Sequence, residues 1–404
     1  MKRLLALFAL APLACAPAVP RPAATVLPGV DVLAANPLPV LAGKRVGLIT
    51  NHTGVGRGGT STIDILAAAP EVRLVALFSP EHGIRGVAAE GETVTSGRDE
   101  RTGLPIHSLY GQTRKPTPEM LNGIDALVFD IQDVGSRTYT YVSTMALGMT
   151  AAREAGIPIV VLDRPNPITG DAVEGGVLDT AFATFVGMYP IPLRHGMTVG
   201  ELARMFNRDF RIGAELHVVP VQGWARGAWF DATGLPWVNP SPNIRSLDAA
   251  IHYPGTVFFE GVNLSEGRGT DRPFEQTGAP WLRAGEVAAA MNAMRLPGVR
   301  FEQVQISVAA GAAKFPGQTL PGVRLVVTDR EAYRPVATSL LLIDAIHRLH
   351  PGRLEWRVSH FDRLAGTDRA RLAILAGTLP ALLREWDAQA ERFRATRARH
   401  LLYR

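Results

Sequence analysis

Cysteine is nearly absent. Cys15 is the only one in 404 residues, which excludes an intramolecular disulfide framework. No basic run occurs anywhere, although lysine and arginine outnumber the acids by 42 to 37. That even spread argues against a nucleic-acid partner and fits a few arginines serving an anionic small ligand. Repeats, low-complexity tracts and coiled-coil heptads are missing as well. No HExxH or comparable spacing marks a metal centre, so a site built on His82, His195 and acids has little behind it. Nor is there an apolar run long enough to cross a bilayer.

What remains is an ordinary globular composition, 47% hydrophobic and 20% charged, in a chain too long for one simple core. The start, MKRLLALFALAPLAC, has a charged end (Lys2, Arg3), a short apolar stretch and a Pro/Ala-rich sequel with nothing to pack against. It is expected to be an export leader. Discounting Lys2 and Arg3 leaves 40 basic against 37 acidic side chains. Cys15, at the end of PLAC, resembles the lipidated residue of a bacterial lipoprotein, although Leu13 sits one place too close to it. A membrane-anchored lipoprotein and a free periplasmic protein are both open. Residues 1–27 form this leader and a linker.

Four continuous apolar runs read as strands buried on both faces: 45–50, 72–78, 126–131 and 157–162. Helical patterns at 61–69 and 144–156 separate them. The alternation predicts an α/β domain over 28–265, a doubly wound and mostly parallel sheet. Ligands of such sheets bind beyond the carboxyl ends of the strands, and all four ends open on polar loops. A capped helix at 198–210 and a strand at 215–221 follow, then an irregular Gly/Pro/Trp-rich stretch from 222 to about 281. Beyond it, the expected elements are helix 285–294, strands 301–308 and 323–329, helix 334–349 and helix 379–399. They describe a smaller α+β domain over 266–404.

Several motifs sit on the polar rims. Gly54 to Gly59 satisfies the dinucleotide pattern G-x-G-x-x-G between a strand and a helix, but a lone match is weak and an ordinary strand–helix loop explains it. No cofactor is therefore called for. PEHGIRG (80–86) is more informative. Pro80 and the glycines stiffen a turn that projects Glu81 from an apolar sheet edge, which suits a general acid. His82 and Arg85 are placed to tune it, and the alternative is an ion pair of Glu81 with Arg85. Asn51, Asp133, Arg137, Tyr139, Arg164, Asn166 and His195 crowd the other rims. Asn243, Glu260, Asn263, Glu266 and Arg268 fall in the irregular stretch, where amides, carboxylates and aromatic faces suit sugar recognition.

PEHGIRG, DIQDVGSRTYTY, LDRPNPITG with VEGG, PLRHGMTVGEL, PSPN and FFEGVNLSEGRGT…PFEQTGAPW, in this order, resemble a bacterial family once known only as a domain of unknown function. It is now a glycoside-hydrolase family founded on exo-β-N-acetylmuramidases. The resemblance runs from about Gly29 to the C-terminus. It implies a Rossmann-like catalytic domain, a C-terminal auxiliary domain, and release of N-acetylmuramic acid from non-reducing ends of peptidoglycan fragments. Glu81 corresponds to the family's proposed acid. Glycoside cleavage usually needs a second carboxyl, and Glu266, Glu260 or Asp133 could serve, unless the sugar's own 2-acetamido group acts instead. The muramic lactyl carboxylate asks for a cation, with Arg85, Arg137, Arg164 and Arg268 as candidates. The rival expectation is an exported sugar-binding lipoprotein without turnover, which fold alone cannot separate from an enzyme.

Overall fold

A computed structural model describes residues 25–86, 88 and 91–404, so the leader and Cys15 lie outside the described residues. Along the chain come β1 (Lys44–Thr50), β2 (Val72–Ser79), β3 (Gly97–Arg98), β4 (Pro105–Ser108), β5 (Ala126–Asp130) and β6 (Ile159–Leu162). An antiparallel pair, β7 (Glu174–Val177) and β8 (Pro192–Arg194), precedes β9 (Leu216–Val219). One seven-stranded sheet has the order β3-β4-β2-β1-β5-β6-β9, with only the short edge strand β3 antiparallel to its neighbour. The continuous apolar runs follow from burial on both faces. Val46, Leu48 and Val128 pack to one side, while Ile49, Leu127 and Phe129 pack to the other.

Helices α1 (Gly29–Ala35) and α2 (Thr62–Ala68) cover the first side, and α3 (Tyr141–Ala155) and α4 (Val199–Asp209) the second. The cap of α4 is the expected capping box of Thr198 and Glu201. Strand order reverses between β1 and β5, the switch point of a doubly wound sheet.

The stretch expected to be irregular contains a helix, α5 (Leu247–Thr256), capped by Ser246. Pro254 and Gly255 in its last turn disguised it. α6 (Ala284–Ala293) packs on a three-stranded antiparallel sheet in which β12 (Thr319–Val327) lies between β10 (Gln276–Gly278) and β11 (Val299–Ser307), and α7 (Pro335–Leu349) packs on α5 and α6. Gly255 lets α5 press against the start of α7, since a Cβ there would run into the carbonyl of Pro335. Three more helices close the chain: α8 (Val358–Ala365), α9 (Arg369–Leu375) and α10 (Leu379–Arg397). The architecture is the expected one, a Rossmann-like layer with a smaller α+β unit. The apolar core on the α3–α4 side of the sheet runs through both, from Phe129 and Met145 to Phe259, Leu340 and Phe361. Trp386 of α10 packs on Gly176 of β7, where a Cβ would come within 2.5 Å of the indole. No helix among the described residues is long and apolar enough to cross a membrane.

Candidate active site

The exit from β2 decides where Glu81 points. His82 has φ +69°, and Gly83 and Gly86 have φ +76° and +71°, so three left-handed residues within five fold the chain sharply back. The His82 ring is anchored, its Nδ1 2.8 Å from the carbonyl oxygen of Ala88. Gly86 lies so close to His52 that a Cβ would overlap the imidazole. The turn sets Glu81 in the wall of a cavity of about 250 Å³. Thr140 Oγ1 donates to Glu81 Oε2 at 2.7 Å, and the Gly91 N–H donates to Oε1 at 3.0 Å. Burial first, and then the charge of Glu81, push the Tyr110 phenol up to about 12, so it stays protonated facing that carboxyl. No cation among the described residues pairs with Glu81. The ion pair with Arg85 does not form, because the half-exposed Arg85 turns away to Asp99.

Glu260, Arg268 and His360 line the same cavity. Arg268 approaches Glu260 Oε1 to 2.9 Å, and His360 Nε2 approaches Oε2 to 3.4 Å. Burial works to raise the Glu260 pKa, but Arg268 and His360 prevail and hold it below the usual carboxylate range. Tyr253 lies within reach of both acids. Burial, then Glu260 and more weakly Glu81, raise its phenol. Its ring meets Tyr139 edge-on at 5.7 Å and Phe274 at 4.9 Å, a packed aromatic cluster in the cavity wall. Asn243 adds an amide to the lining. The cavity thus holds one carboxyl gripped by neutral donors and a second kept ionised by cations.

Of the residues singled out from the sequence, Glu81, His82, Tyr139, Asn243, Glu260 and Arg268 come together here. The others do not reach the lining. Glu266 is buried behind Arg268, 3.3 Å from it, and pairs at 2.9 Å with Lys314. Asp133 and His195 share a buried site, Oδ2 to Nε2 3.7 Å. Burial pushes Asp133 up to about 7, and burial reinforced by Arg397 and Arg137 pushes His195 down to about 3. Arg137 spends its guanidinium on the carbonyls of Gly176, Ile191 and Leu364. Three amides hold loops instead of a ligand. Asn51 accepts from Thr53, Asn166 spans Ile168 and Met197, and Asn263 clips the loop at Arg353 and Glu355.

Arg164 is at the switch point, bound to both oxygens of Asp130 at 2.5 and 2.8 Å and to the carbonyl of Val55. The space left there is about 20 Å³, room for little more than water. Donors that would cradle a pyrophosphate are already used. The Arg57 N–H bonds Asp31 at 2.7 Å, and Ser61 caps α2 by accepting from Asp64. Of the glycine pattern, Gly54 and Gly56 pack a strand–helix corner, where a Cβ would meet Thr50 and Asp31, and Gly58 and Gly59 are exposed.

Tyr110, Arg114, Thr140, Phe185 and His360 line the cavity but drew no attention in the sequence. Tyr110 and Arg114 follow β4, a four-residue strand too short to stand out, which opens on the same rim as β2.

The chain matches two family models, described as the N-terminal and C-terminal parts of exo-beta-N-acetylmuramidase NamZ, over residues 46–248 and 251–403. Peptidoglycan beta-N-acetylmuramidase NamZ of Bacillus subtilis (strain 168) is 48% identical over 377 residues, covering 93% of this chain and 91% of that protein. Crystal structures of two DUF1343 family proteins from Bacteroides fragilis NCTC 9343 share the fold. One superposes with a TM-score of 0.88 at 37% identity over 95% of this chain and 100% of its own. The other gives 0.73 at 33% identity, covering 94% and 99%.

Proposed function

The chain belongs to the exo-β-N-acetylmuramidase family, and from that premise we propose that its glycosidic bond is cut in the Glu81 cavity, with Glu81 as general acid. The protein is an exo-acting glycoside hydrolase that releases N-acetylmuramic acid from the non-reducing end of peptidoglycan fragments. The observation that carries the site assignment is the contrast between its two lining carboxyls. Glu81 accepts from Thr140 and the Gly91 N–H, faces the Tyr110 phenol and, unlike Glu260, has no cation among the described residues paired with it. Glu260 is kept charged by Arg268 and His360 and meets the positive charge developing at the anomeric carbon. A cavity of about 250 Å³ suits one substituted sugar ring, in keeping with removal of a single terminal residue.

A muramic-acid-terminated disaccharide tests both claims. Free monosaccharides mark an enzyme, whereas saturable binding without products marks a binding module. Glu81→Gln should lower release of N-acetylmuramic acid by about 100-fold or more with the fold intact, the scale of a general acid. Near-normal turnover by that variant would remove Glu81 from the role. Export belongs to the same proposal. Its support is the charged start and short apolar stretch of residues 1–14, with Cys15 as the site of a lipid anchor in a periplasmic protein. Loss of membrane retention in Cys15→Ala is the measurement that decides anchoring.

A further inference from the structure

We propose that Arg114 recognises the carboxylate on the substrate's C3 substituent and so makes the enzyme selective for muramic acid over neutral amino sugars. The inference rests on the reading of the cavity as the glycosidase site. The four arginines favoured from sequence have other employment. Arg85 pairs with Asp99, Arg164 with Asp130, Arg137 serves three carbonyls, and Arg268 is balanced by Glu260 and Glu266. Arg114 differs from all of them. It lines the cavity, and among the described residues no carboxylate pairs with it. Its guanidinium carbon lies 4.4 Å from the ring centre of Phe185 and 5.5 Å from that of Tyr110.

Stacking on those rings holds the guanidinium plane without using its N–H groups, because a cation–π contact employs the face and leaves the edge donors free. Two parallel N–H donors are what a carboxylate accepts. The position also fits the sugar. The Tyr110 hydroxyl faces Glu81 while its ring carries Arg114, so one tyrosine separates the acid from the cation. Glu81 must meet the oxygen on C1, and the lactyl ether leaves from C3, two carbons along the same pyranose ring. The two imidazoles of the cavity offer less. His360 is directed to Glu260, and His82 is anchored to Ala88. N-acetylglucosamine carries a neutral hydroxyl at C3 and gives Arg114 nothing to bind.

The test uses the full-length protein and two chromogenic β-glycosides of N-acetylmuramic acid, one with a free lactyl carboxylate and one with that group as its neutral methylamide. The wild type should prefer the carboxylate by roughly 10- to 100-fold in kcat/KM, expressed mainly in KM and shrinking as salt is added. Arg114→Met should bring the preference close to one and remove its salt dependence, and Arg114→Lys should restore part of it. The ratio is taken within each variant, so a change in folded fraction cancels. An Arg114→Met protein that keeps the wild-type preference overturns the proposal. A wild type that cleaves neither glycoside overturns the underlying reading of the site and this inference with it.

Discussion

Thr140 stands immediately before α3, yet its hydroxyl makes no bond to that helix and donates instead to Glu81 at 2.7 Å. A threonine at a helix start ordinarily caps it, so this one is diverted from a structural duty to hold the acid. Thr140→Val keeps the shape and removes the donor. The expected result is a fall in kcat of roughly 10-fold, the scale of one hydrogen bond, with a melting temperature within a few degrees of wild type. A large loss of stability with unchanged kcat would show the hydroxyl to be structural.

The turn that carries Glu81 should respond unequally at its two glycines. Both have positive φ, so alanine costs roughly 1 kcal/mol or more at either. A Cβ at Gly83 meets only Val94 at 3.8 Å, whereas one at Gly86 overlaps His52. Gly83→Ala should therefore be a mild stability variant with useful activity. Gly86→Ala should lose both stability and turnover, because the His52 ring must move and the turn with it. Denaturant midpoints and disaccharide assays on the two proteins provide the comparison, and equal behaviour would refute the packing argument.

Glu260 and His360 test the second wall. Glu260→Gln removes the negative charge facing the anomeric centre, and kcat should drop by at least about 100-fold. His360→Gln should cost only a few-fold, because Arg268 continues to hold Glu260 ionised. If both variants turn over like wild type, stabilisation must come from the sugar's own acetamido group.

The buried Asp133–His195 pair predicts opposite pH dependences of stability. Asp133 is raised to about 7 in the fold against about 4 in the unfolded chain, so its contribution is full at low pH and is lost as pH rises across that window. His195 is lowered to about 3 against about 6.5, so its contribution is full at high pH and is lost as pH falls through that range. Relative to wild type, Asp133→Asn should gain stability as pH goes from about 4 to about 7. His195→Gln should gain it as pH goes from about 6.5 down to about 3. Urea unfolding at several pH values reads both slopes, and parallel curves for all three proteins would contradict the burial argument.

Much of the fold was legible because its central strands are buried on both faces, which leaves an uninterrupted apolar run such as 126–129. The four-residue strand β4 left no such trace, and with it Tyr110 and Arg114 went unseen. α5 was masked by Pro254 and Gly255, residues that usually end helices but here permit close contact with α7. The site was half legible for a related reason. Polar residues at strand ends such as Arg137, Arg164 and Asn166 look alike in sequence whether they face a ligand or knit loops together. Only their partners in space tell them apart. Glu81 stood out because its neighbours constrain the backbone, a signal that survives without coordinates.

The core shared by the two lobes, closed by Trp386 on Gly176, leaves no hinge between them. Swinging the halves apart would expose oily surface to water, which opposes a wide opening of the receptacle for the sugar. The expense of ordering it falls on folding and not on ligand capture. Heat should melt both halves together in one cooperative step, and neither half should persist once the other has come undone.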